Sequence, residues 1–138
     1  LVGKQISVTV TNRRGTHAVS ATSNSTKPVA AGKLIAGGLA ISGQAVVGKT
    51  LSGQIGYDWR QAGSKFYPSG SSYTCQWLSK NVVVKTEPCH TGTPPFYDGT
   101  YVPSVADVGK QIGLRVTYQA PGYTPVTKTV TRFIPVYN

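Results

Sequence analysis

Apolar and polar residues alternate with the two-residue period of a β-strand in several short stretches of this chain, and no apolar stripe keeps helical spacing through three turns. Ile6, Val8 and Val10 fall on one face of an early stretch, and Ile112, Leu114 and Val116 fall on one face of a late one. Between them, a Val- and Gly-rich stretch over 44–55 reads as a strand, residues 73–78 as a central strand, residues 82–84 as a second and residues 100–102 as a third. Pro88, Pro94, Pro95 and Pro103 mark loops or strand ends, because proline cannot donate to a ladder. Gly48, Gly109 and Gly122 read as turn positions with positive φ. The pattern predicts an all-β protein.

The early and late stretches are copies of one another. Val2-Gly3-Lys4-Gln5-Ile6-Ser7-Val8-Thr9-Val10-Thr11 returns as Val108-Gly109-Lys110-Gln111-Ile112-Gly113-Leu114-Arg115-Val116-Thr117, displaced by 106 residues and identical at seven of ten positions. After one inserted residue a weaker likeness continues, with Gly15 against Gly122 and residues 19–22 against 126–129, so each copy reads as a strand, a turn and a second strand. A spacing of this length exceeds solenoid periods and suits a tandem array of sandwich domains. The predicted organisation is residues 1–32 as the C-terminal half of a preceding repeat plus a linker, and residues 33–138 as one complete repeat. Residues 27–32, Lys-Pro-Val-Ala-Ala-Gly, have the character of the boundary. A lone two-stranded hairpin is marginal in water, so residues 1–27 are expected to find a partner or fray.

Ile41-Ser42-Gly43, Val47-Gly48-Lys49-Thr50-Leu51, Tyr73-Thr74-Cys75-Gln76-Trp77-Leu78, Tyr101-Val102-Pro103, Ala106-Asp107-Val108-Gly109-Lys110 and Pro121-Gly122-Tyr123, in that order over about residues 35 to 135, resemble the bacterial immunoglobulin-like repeats. Such repeats stand in tandem in secreted and surface proteins of Gram-positive bacteria, especially actinobacteria. The resemblance implies an immunoglobulin-like antiparallel β-sandwich, with Trp77 as the buried tryptophan of a central strand. It leaves spacer, adhesive and carbohydrate-associated roles open. Lengthened segments over 56–72 and 85–99, and the Cys75 and Cys89 pair, depart from the family pattern, and long loops are where such domains acquire binding surfaces.

Composition sharpens the picture. The chain has 138 residues, 39% of them hydrophobic, with 16 glycines and nine prolines, enough to bury one core among many turns. No apolar run is long enough to span a membrane, and Leu1-Val2-Gly3-Lys4 lacks the regions of a signal peptide, so the chain is expected to be soluble and processed. Cys75 and Cys89 lack zinc-ligand spacing. A disulfide closing a short loop is the expected use, implying an extracellular or cell-surface location, with two free cytosolic thiols as the competing reading. Fourteen Lys and Arg against four acids give a formal charge of +10, which draws a surface toward polyanions. Only Arg13 and Arg14 are adjacent, and that even spacing argues against nucleic acid.

Candidate chemistry is sparse. Asp107 is expected to cap the turn before the penultimate strand with its own side chain, and neither a metal nor a cofactor is expected. Two histidines and four acids sit in no hydrolase, metalloprotease or phosphate-loop motif, and no enzyme is expected. The loop aromatics Trp59, Phe66, Tyr67, Phe96 and Tyr97 are candidate ligand contacts, as rings that stack on sugars, with a small satellite core over the disulfide as the alternative. Two functions follow as expectations. One is a structural, spacer or assembly module whose partners are neighbouring repeats or other copies of the chain. The other is a carbohydrate or cell-wall polyanion binding module.

Overall fold

The computed structural model describes residues 1–56, 58–64, 67–89 and 96–135, with residues 96–98 described in their backbone only. The strands are β1 (Thr9–Arg14), β2 (His17–Thr22), β3 (Gly32–Ile35), β4 (Leu39–Ser42), β5 (Leu51–Ile55), β6 (Arg60–Gln61), β7 (Ser72–Ser79), β8 (Val82–Pro88), β9 (Phe96–Tyr101), β10 (Gln111–Gln119), β11 (Tyr123–Thr124) and β12 (Val126–Phe133). Among the described residues the only helical piece is a 3-10 turn at Val105–Asp107. The chain divides into two compact units, Leu1–Gly32 and Lys33–Asn138.

In the second unit, β12-β10-β7-β8 form a four-stranded antiparallel sheet and β4-β5-β9 a three-stranded antiparallel one, with a small sheet β11-β3-β6 beside them. Alternation along β10 builds the core, because Ile112, Leu114, Val116 and Tyr118 are wholly buried and carry the hydrophobic face of the sheet. Leu51 and Ile55 of β5, Ile41 of β4 and Cys75 and Trp77 of β7 join them in one cluster, so both sheets share a single core, as in a β-sandwich. The glycines expected at turns have that geometry, with φ of +79° at Gly48, +75° at Gly109 and +79° at Gly122.

One lateral side of this unit is tied by cations. From β12, Lys128 Nζ donates to Gly37 O at 2.7 Å, and the Arg132 guanidinium donates to Ile41 O at 3.0 Å and to Gly43 O at 3.3 Å. Carbonyls at the end of the second sheet thereby gain donors from the first.

The first unit is the hairpin β1-β2, closed at its base by Gly3 N–H to Val29 O and Val29 N–H to Lys4 O, both at 2.8 Å. Val29 therefore belongs to the hairpin, within the stretch that reads as a linker. Ser23 and Thr26 extend it irregularly. Their hydroxyls accept from Val8 N–H and Ile6 N–H, and their own N–H groups donate to Val8 O and Ile6 O.

Candidate functional site

Two of the predicted contact rings resolve clearly. Trp59 is fully buried, where its Nε1–H donates to Gly38 O at 2.7 Å and its ring meets Tyr73 and Tyr118 edge-on at 6.0 and 6.1 Å. Trp59 is thus a core residue and not a loop ring available to a ligand. The reason is a close backbone crossing: Gly38 and Gly56 approach so tightly that a Cβ on either would touch the other's backbone at 3.3–3.4 Å, and this brings the Trp59 segment down onto the core. Nor is it a satellite cluster over the disulfide, since Tyr73 and Tyr118, stacked at 4.7 Å, belong to the main core. Tyr67 is half-buried.

The remaining three rings lie outside what the structure describes. Phe66 lies outside the described residues. Phe96 and Tyr97 open β9, their backbones paired with Ile55 and Gln54, and their side chains lie outside what is described. The segment read as a long loop over 85–99 is thus strand at both ends.

Cys75 and Cys89 are bonded, with Cα atoms 5.4 Å apart and a sequence separation of 14. Such a bond fits an oxidising compartment. Around it, Trp77 is buried, stacks on Tyr101 at 5.8 Å and donates from Nε1 to Glu87 Oε1 at 3.3 Å. Gly99, with φ of +74°, lets β9 cross this cluster, because a Cβ there would stand 2.9 Å from Glu87 Oε1 and 3.4 Å from Trp77 Nε1.

Asp107 is the one buried carboxylate among the described residues. Its Oδ1 accepts from Ser79 Oγ at 2.6 Å, and its Oδ2 accepts from Ser104 N–H at 2.8 Å, Tyr101 OH at 2.9 Å and Ser104 Oγ at 3.2 Å. Ser104 in turn caps the 3-10 turn by accepting from Ala106 N–H. Burial alone would raise the Asp107 carboxyl, but the donors from Ser79, Ser104 and Tyr101 outweigh it and hold the group below its ordinary range. Burial, followed by the bond to Asp107 and its charge, pushes Tyr101 up to about 12. Tyr101 therefore remains a donor at neutral pH. The side chain thus caps backward, onto Ser104 at the start of the 3-10 turn, while the turn entering β10 is closed by Lys110 N–H to Asp107 O at 2.9 Å, and the same side chain also joins β7 and β9 to the turn.

Every described acidic side chain is engaged: Asp58 with Arg60 at 3.1 Å, Glu87 with Lys85 at 3.1 Å and with Trp77, and Asp107 in its network. No group of three or more His, Cys, Asp or Glu able to hold a metal occurs among the described residues. No described helix is long and apolar enough to cross a membrane.

One of the open grooves, of about 410 Å³, lies along the lateral side opposite the cation-tied one, lined by Val82 and Val84 of β8, Tyr101 of β9, Ser79, Ser104, Ala106 and Asp107, with Lys80 and Lys110 beside them. β8 ends its sheet and β9 ends the other, and Lys85 Nζ donates across to Thr100 O at 2.8 Å. The valine run read as a strand thus forms a sheet edge, a feature that its β-branched composition could not reveal. No protein-family model, curated protein or solved structure matches this chain.

Proposed function

We propose that this chain is a non-catalytic module of a secreted or cell-surface protein, with an immunoglobulin-like sandwich in residues 33–138, and that its role is structural, as a spacer or assembly unit among tandem repeats. The observation that carries this reading is the hydrogen-bonded identity of the two hairpins. Thr9 pairs with Thr22 as Arg115 pairs with Thr129, and Thr11 with Ser20 as Thr117 with Thr127. The closing bonds at Val29 recur at Ile134, which donates to Lys110 O and accepts from Gly109 N–H, both at 2.9 Å. A sheet order of β12-β10-β7-β8 beside β4-β5-β9 fits strands G-F-C-C′ beside A-B-E of an immunoglobulin-like sandwich.

A second reading is favoured by charge. With the described acids all engaged, most of the +10 is left to the solvent, so the surface would attract cell-wall polyanions without a shaped site. Chromatography on peptidoglycan, teichoic acid and neutral polysaccharides at two salt concentrations separates the readings. The structural reading expects no retention on any of these matrices at about 0.1 M salt, whereas the charge reading expects retention on the anionic ones alone, lost as salt rises to about 1 M, where the screening length shrinks from about 10 Å to about 3 Å. Retention that survives high salt on any of these matrices would replace the structural reading with a dedicated glycan-binding one.

A further inference from the structure

The hairpin of residues 1–32 and the side of the sandwich at β8 lack complementary things. Ile6, Val8 and Val10 are 42%, 58% and 63% exposed, although their counterparts Ile112, Leu114 and Val116 are fully buried. In the second copy, the edge of β10 away from β12 is filled by β7, with Ile112 opposite Ser79, Leu114 opposite Trp77 and Val116 opposite Cys75. Among the described residues β1 has no strand there. What the hairpin is missing is thus defined by its own duplicate: an antiparallel strand at its edge and an apolar surface under its alternate residues.

β8 offers both. Among the described residues its outer edge is unpaired, and Val82 and Val84, 65% and 47% exposed, line the groove that runs between it and β9. Sheet edges are ordinarily blunted by charge, proline or cover. The opposite side of the sandwich has Lys128 and Arg132 for that purpose; at β8, Lys85 ties the far end of the strand to Thr100 O and Lys80 and Lys110 flank the groove, but Val82, Val83 and Val84 themselves put no charge on the edge.

We propose that β1 of one molecule adds to the outer edge of β8 in a second copy of this chain, placing Ile6, Val8 and Val10 over the Val82 and Val84 groove and extending the four-stranded sheet by the neighbour's hairpin. The contact is heterologous, because each molecule gives a hairpin and receives another, so it propagates into a linear assembly unless it closes into a ring. Two bodies of charge +10 repel, so association strengthens as salt screens them, opposite to polyanion binding. This inference rests on the assembly reading above.

Sedimentation of the full chain from about 10 µM to about 1 mM, a range that brackets a contact of modest area, tests it at low and high salt. The weight-average mass should at least double across the range and rise further with salt. Val8→Lys and Val84→Lys, both at exposed positions, should each leave a monomer with an unchanged melting temperature. An equimolar mixture of the two should regain mass and stop at a dimer, since Val8→Lys keeps an intact β8 and Val84→Lys keeps an intact β1. Val10→Lys and Val82→Lys repeat the design should either first variant fail to fold. A wild-type chain that stays monomeric, a single variant that still associates, or a mixture that remains monomeric overturns the proposal. Since glycan retention is measured separately, loss of this contact leaves the structural reading to be judged on its own result.

Discussion

The chain holds nearly the same hairpin twice, and one copy is the spine of a core while the other has none. Registers, closing bonds and even a hydroxyl pair recur: Thr11 Oγ1 with Ser20 Oγ at 2.9 Å, and Thr117 Oγ1 with Thr127 Oγ1 at 3.1 Å. Local sequence therefore suffices for strand, turn and register. Burial does not follow from it, since Val8 is 58% exposed and Leu114 is fully buried. The surroundings differ at the entry to the strand too. Lys110 N–H donates to Asp107 O in the late copy as Lys4 N–H does to Leu1 O in the early one, but Asp107 carries four accepted bonds where Leu1 lies 86% exposed.

Making the late copy resemble the early one at that position should have the largest effect. Asp107→Leu would leave Ser79, Tyr101 and Ser104 without their buried acceptor, at a cost on the order of 4 kcal/mol. The pH dependence has a definite sign. The folded carboxyl titrates below the ordinary aspartate range, so its contribution is complete above the unfolded value and is lost as pH falls through the folded one. Denaturant titrations should thus show a wide gap between wild type and variant at about pH 7 that narrows by about pH 3. A gap of constant width would mean that Asp107 acts by shape alone.

Truncating equivalent positions sharpens the contrast. Leu114→Ala should destabilise the sandwich by about 2–5 kcal/mol, because it opens a cavity among fully buried neighbours. Val8→Ala should cost less than about 0.5 kcal/mol in dilute solution, as exposed substitutions do. Comparable losses at both positions would show that the hairpin face is covered in the monomer.

How much of this was legible follows the same division between local and non-local information. The hairpins, β7, β8, the positive-φ glycines and the disulfide were readable because each has a local signature in alternation, turn residues or cysteine count, and the buried Trp77 was readable through the family resemblance. β3, β4 and β6 were not, since strands of two to four residues carry too few positions for a period to show. Trp59 was misplaced because its neighbours Asp58 and Arg60 are polar and pair with one another, the look of a loop. Its partners inside, Gly38 O, Tyr73 and Tyr118, and the approach of Gly38 to Gly56 are all remote in sequence. The groove was invisible for a similar reason: Val82 and Val84 read as ordinary strand residues, and which strand ends a sheet is a property of topology.

The smallest effect is expected where the copies agree most. Thr→Val keeps the shape and β-branching of the side chain while deleting the hydroxyl, so it isolates the cross-strand pair. Thr117→Val should lower global stability by about 0.5 kcal/mol, because β10 and β12 belong to the cooperative sandwich. Thr11→Val removes the same bond from a hairpin outside that unit. Global unfolding should then stay unchanged, and the loss should surface as faster amide hydrogen exchange across β1 and β2, where few buried contacts share the load. Should Thr11→Val instead shift the global transition as far as Thr117→Val does, the two hairpins would be parts of one cooperative structure, and the exposed face of the first would no longer be free to receive another molecule.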